Sequence, residues 1–216
     1  MVFMSDSQRA SEIAKENAID VGLHLNLDQA FDTASARAEL RSRHARVANH
    51  LRRSRYSQLT YAPSLRRDFE YVYRAQAEEF ERLYGRPLSH LDGHHHMHLC
   101  ANLLVSRPAP RGVKMRRNFT FWPGEKSRAN RFYRRSIDWW LGRKYVLPDF
   151  FFDLSQCLAA RTMRRVLELA RHHAVELMTH PIVKTEADYL TGPEFAAATV
   201  SVLLTTYSRL EEVKAA

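Results

Sequence analysis

The sequence predicts an α/β fold built on a parallel sheet or barrel. Two observations carry that expectation: stretches of helical periodicity alternate with short apolar strands, and the strands run out into polar residues. With 216 residues, 45% of them hydrophobic, the chain is long enough for one sizeable core, and neither an internal repeat nor a low-complexity linker divides it. A single domain over residues 1–216 is the default expectation.

The elements follow in chain order. SQRASEIAKEN (7–17) has helix-forming composition, with Ala10, Ile13 and Ala14 on one side. IDVGLHLNL (19–27) alternates as a strand does, with Val21, Leu23, Leu25 and Leu27 on one face and Gly22, His24 and Asn26 on the other. Residues 65–84 place Leu65, Phe69, Val72, Tyr73, Gln76, Phe80 and Leu83 at helical spacing, and Gly85 and Pro87 stop the helix. SHLDGHHHMHL (89–99) reads as a strand running into a loop, and GVKMRRNF (112–119) as a short strand. The stretch 120–157, rich in aromatics and arginine, is expected to be an inserted lid or substrate loop. A helix over 159–172 buries Met163, Val166, Leu167 and Ala170 and leads to the strand AVELMTH (174–180), closed by Pro181. TGPE (191–194) combines a threonine cap, proline in the first turn and glutamate three residues after the cap, opening a helix through Leu210.

Composition narrows the classes. No run of 18 apolar residues is present, and the opening MVFMSDSQRAS has neither a basic nor an apolar leader region, so no membrane span or signal peptide is expected and a cytoplasmic setting follows. Cys100 and Cys157 form no CxxC and read as buried thiols. The formal charge of +9 is concentrated in RSRHARVANHLRRSRY (41–56) and in the basic runs between 111 and 136. No nucleic-acid motif accompanies it, so a solvated basic surface is the expectation over nucleic-acid binding.

The chemistry lies in LSHLDGHHHMHLC (88–100), which holds five of the 11 histidines within nine positions. On a strand His90, Asp92, His94, His96 and His98 would share one face, with His95 and Met97 opposite. A covered parallel sheet does not tolerate that polarity in its core, so it belongs at a strand's C-terminal end, where α/β folds build sites. His24 and His180 fall at corresponding places on two other strands. Imidazoles from three strand ends suit a divalent transition ion, which acidifies a water and polarises a carbonyl. His44, His50, His172 and His173 read as surface or helix-end residues.

Taken together, VGLHLNL, HLDGHHHMHL and ELMTHP, with the lead-in GRPLSHLDGH and the segment LPDFFF (147–152), resemble the YdjC-like carbohydrate deacetylases, the family of chitooligosaccharide deacetylase. The resemblance covers roughly residues 1–190 and rests on the combination of motifs, each weak by itself. It implies a distorted (β/α) TIM-like barrel and a divalent metal ion, Mg or Zn. The implied substrate is an N-acetylated oligosaccharide, with neither nucleic acid nor membrane as partner and a homodimer as the candidate assembly. Carried over by position, His24 and His94 become the metal ligands, Asp92 a carboxylate handling protons beside them, and His180 the general acid. Arg116 is the candidate substrate contact, against a plain surface-arginine reading. The implied activity is hydrolysis of an acetamide, in which an acid must protonate the departing amine.

One departure matters. Family members open with a strand ending in an Asp-Asp-Phe-Gly type motif, which is absent from these 216 residues. The expectation is therefore a chain truncated before residue 1 and a barrel incomplete at its N-terminus, with a catalytically inactive metal- or sugar-binding remnant as the alternative function.

Overall fold

In the computed structural model, which describes residues 1–54 and 56–215, helices alternate with short parallel strands in two units, Met1–Val113 and Lys114–Ala216. The α/β class is as the sequence predicts. Each unit contributes one parallel strand pair, and neither pair closes into a barrel.

In the first unit, α1 (Ser7–Glu16) precedes β1 (Leu23–Leu25), and two long helices, α2 (Ala38–Arg52) and α3 (Arg66–Tyr84), separate it from β2 (His90–Gly93) and α4 (Ala101–Ser106). Leu23, Leu25 and Leu27 are fully buried, as the alternation requires. The apolar stripe of α3 is also as expected: Phe69, Val72, Tyr73, Gln76, Phe80 and Leu83 are buried, and Gly85 ends the helix in the left-handed region at φ 68°, where a side chain would be strained.

Three expectations fail here for identifiable reasons. In α1 the buried side is Ser7, Ser11 and Ala14, with Ile13 turned outward, because Ser7 and Ser11 bond back to the main-chain oxygens of Met4 and Gln8. The basic run 41–56, in which Arg55 lies outside the described residues, largely forms α2. His44 falls on its apolar stripe with Leu40, Val47, Ala48 and Leu51 and is 3% exposed, rather than at the surface. Its arginines are tied down: Arg43 and Arg46 pair with buried Asp68 at 3.1 and 2.8 Å, and Arg41 donates to the main-chain oxygens of Phe31 and Thr33. Finally, β2 stops at Gly93. The backbone of His98 folds back over that glycine so closely that a Cβ there would lie 2.6 Å from the His98 nitrogen. The strict alternation predicted through His98 is therefore replaced by tight helical turns over His94–Leu99.

In the second unit, β3 (Lys114–Met115) is shorter than the predicted 112–119 strand and is followed by α5 (Arg128–Gly142), β4 (Phe150–Asp153), α6 (Leu154–Ala159) and α7 (Met163–Ala170). β5 (Val175–Met178), α8 (Lys184–Leu190), α9 (Pro193–Thr199) and α10 (Leu210–Ala215) complete it. The segment 120–157 is thus not an inserted lid: it holds α5, capped by the Ser127 side chain, and β4, which pairs with β5 from Phe150–Val175 to Asp153–Met178. The unalternating run FFFD hid a strand whose two central residues, Phe151 and Phe152, are buried. Phe152, Leu154, Cys157, Met163 and Val166 form the core of this unit. The predicted helix through Leu210 ends at Thr199, because Val200, Leu203 and Leu204 find nothing to pack against and stand 86%, 67% and 66% exposed.

Candidate metal centre

The register of β1 against β2 builds the first half of the site. It sets His24 opposite Asp92, on the face away from the leucines. His24 Nδ1 lies 3.0 Å from Asp92 Oδ1, and Asp92 is 8% exposed. A carboxylate on one ring nitrogen keeps the proton on Nδ1 and leaves the Nε2 lone pair for a cation.

That Nε2 lies 3.4 Å from His94 Nδ1, with the two rings at 76°. Two nitrogens bound about 2.1 Å from one ion at a tetrahedral angle stand about 3.4 Å apart, so the donors present fit a shared divalent ion. Burial lowers the pKa of His94, and the neighbouring His95 and His24 lower it further against the opposing pull of Asp28. The imidazole is thereby kept in the neutral form that can act as a ligand.

The sequence reading put His95 on the far side, yet the turn after Gly93 brings it in. His95 and His96 both take left-handed backbone, φ 49° and 58°, a conformation that costs a non-glycine residue about 1–2 kcal/mol and that collects at functional sites. As a result the His95 ring packs against His94, tilted by 36° with centroids 3.9 Å apart, and its Nδ1 reaches Asp28 Oδ2 at 2.8 Å. His98, by contrast, is buried at 2% exposure, and His90 bonds through Nδ1 to the hydroxyl of its neighbour Ser89.

The loop after β1 is fixed by residues that sequence reasoning did not single out. Asn26 Oδ1 accepts the main-chain N–H groups of Asp28 and Gln29, and the fully buried Gln76 grips the backbone of Asn26 from α3. Gln76 Oε1 accepts from Asn26 N at 2.8 Å and Nε2 donates to Asn26 O at 2.7 Å. The available signal was a glutamine in the apolar stripe of a helix: a buried amide needs partners.

In the second unit His180 follows β5 with its side chain 48% exposed, its Nδ1 3.6 Å from Glu186 Oε1. Glu186 is fully buried and accepts from the Ser155 hydroxyl and the His180 main-chain N–H. Burial pushes its carboxyl up, but those two bonds and the His180 charge together hold it below the usual range. Ligand atoms of Asp153, His180 and Glu186 lie within 4.8 Å of one another. Arg116 is not a surface arginine: its side chain is 15% exposed, its Nε meets Glu176 Oε1 at 2.6 Å, and its guanidinium lies 4.9 Å from the Phe151 ring centre.

Comparison with known proteins agrees with these motifs. The family model described as YdjC-like protein matches residues 1–216. A carbohydrate deacetylase from Mus musculus is 28% identical over 213 residues, an alignment covering 81% of this chain and 65% of the relative, so the chain spans about two thirds of that protein's length. No solved structure matches. With the family model matched from end to end and His24, Asp92 and His94 drawn together by one strand pair, the chain belongs to the YdjC-like protein family.

Proposed function

We propose that this chain carries a metal-dependent carbohydrate deacetylase site, which hydrolyses the acetamide of an N-acetylated oligosaccharide. The observation that supports it most is the 3.4 Å between His24 Nε2 and His94 Nδ1, with Asp92 behind His24. The name of the mouse relative, carbohydrate deacetylase, supports the substrate class. A divalent ion, Zn or Mg, would be held by His24 and His94 and supplies Lewis acidity, polarising a carbonyl and acidifying water near neutral pH.

The chain's own residues do the rest. Asp92 keeps the His24 proton on Nδ1 and so keeps Nε2 a donor. His180 is the proton donor to the departing amine, which is too basic to leave as an anion; with Nδ1 beside Glu186, the transferable proton sits on Nε2. Its role rests on the likeness of ELMTHP to the family's motif. Arg116 is the candidate substrate contact, held in place by Glu176. The distorted (β/α) barrel is proposed from the family resemblance alone, and the two buried free thiols accord with a cytoplasmic setting.

The competing reading is a sugar- or metal-binding chain without turnover. Acetate release from diacetylchitobiose separates them. Release that stops with chelator and returns with Zn or Mg is the expected result; undiminished release in chelator refutes the proposal, and saturable ion binding without acetate supports the competing reading.

A further inference from the structure

We infer that Asp28 is the anionic donor of this cation site, binding a divalent transition ion alongside His94 and His95. The inference rests on the reading that His94 is a metal ligand and extends it to a carboxylate that no motif marks. The Asp28 side chain is 9% exposed, and its Oδ1 is buried with no hydrogen-bond partner among the described residues. A carboxylate oxygen out of water and without a donor is costly, so a buried group of this kind points to a positive partner. The nearby Arg52 does not fill that role, since its Nη2 donates to the main-chain oxygen of Asp28 and leaves the carboxylate alone.

The geometry of the other oxygen points the same way. Asp28 Oδ2 and His95 Nδ1 are 2.8 Å apart. Two ligand atoms about 2.1 Å from one tetrahedral ion stand about 3.4 Å apart, so an ion replaces the proton shared by this pair once the two atoms part by about 0.6 Å. His94, packed against His95, brings the third atom: ligand atoms of Asp28, His94 and His95 all lie within 4.8 Å of one another. One carboxylate with imidazoles is a donor set for zinc or a similar ion. The set is also held in advance, because the Asn26 turn and the Gln76 clamp fix the backbone of Asp28 whether or not an ion is bound.

The test is a cobalt(II) titration of the full chain, followed by visible absorption and by competition with zinc. Asp28→Asn is expected to weaken binding by at least about tenfold and to change the cobalt bands, while Asp28→Glu retains most of the affinity. Equal affinity and an unchanged spectrum in Asp28→Asn overturn the inference, and if His24→Ala still loses the ion the proposed function stands without it. A wild-type chain that takes up no cobalt or zinc overturns both. Should Asp28→Asn lose its folded circular dichroism spectrum, anomalous diffraction at the zinc edge from the unsubstituted protein decides. A carboxylate oxygen of Asp28 about 2.0–2.2 Å from zinc is the expected result, and zinc bound with no Asp28 oxygen in contact is the contrary one.

Discussion

Gln76→Met replaces the clamp on the loop after β1 by an apolar side chain of similar length. In the wild type the Gln76 amide satisfies both the N–H and the C=O of Asn26 at 2.8 and 2.7 Å, in a place with no solvent exposure. Methionine can serve neither group. At about 1–3 kcal/mol for each buried backbone group left unpaired, the loss is about 2–6 kcal/mol. The apolar gain of methionine over glutamine returns about 1 kcal/mol, which leaves a destabilisation of about 3 kcal/mol. With a urea slope of about 2 kcal/mol/M the midpoint falls by about 1.5 M. Far-UV circular dichroism follows the transition. The variant should also bind cobalt more weakly, since the loop that carries Asp28 loses its anchor. A stability loss under about 1 kcal/mol would show that relaxed backbone or water replaces the amide and that Gln76 does not hold this loop.

Other perturbations test other links. His44, packed against Phe31 at 4.2 Å, has its pKa pushed down to about 4 by burial. The unfolded chain therefore takes up this proton first as pH falls, and stability drops from about pH 6.5 to about pH 4, by about 3 kcal/mol in all. His44→Phe should remove that component, and identical pH slopes in the two proteins would refute the assignment. Gly93→Ala drives a Cβ to 2.6 Å from the His98 nitrogen, a clash with backbone that cannot swing away. A loss of about 1–3 kcal/mol in urea denaturation is expected, together with loss of ion binding; a neutral result would mean that the turn after β2 is loose. Glu186→Ala strips the acceptor from Ser155 and from the His180 main chain. It should cost about 2–4 kcal/mol in the second unit, read by tryptophan emission, and no shift in that transition would contradict the buried network.

Much of the fold was legible because side-chain periodicity alone specified it. The leucines of β1 and the stripe of α3 needed no tertiary information. The elements that escaped did so for physical reasons. FFFD is buried without alternating, so period-two reasoning passes over it, and α2 is so rich in arginine that its apolar stripe, His44 included, reads as solvated surface. For the site, His24 and Asp92 were legible by likeness to the family's motifs, while their contact comes from a strand register that only the structure supplies. His94 was also legible, as the first histidine after Asp-Gly. His95 and Asp28 were not, because their approach depends on two left-handed residues following Gly93 and on a loop clamped from a helix 50 residues away in sequence. Backbone signs that rest on unfavourable φ values are not written in hydrophobic pattern.

The central claim is that His24 and His94 share one divalent ion. Zinc content after equilibrium dialysis, measured on the wild type, His24→Ala and His94→Ala, tests it most directly. The account predicts one tightly held ion per wild-type chain and its loss in both variants. Zinc retained at wild-type level by either variant, with the fold intact, would contradict it.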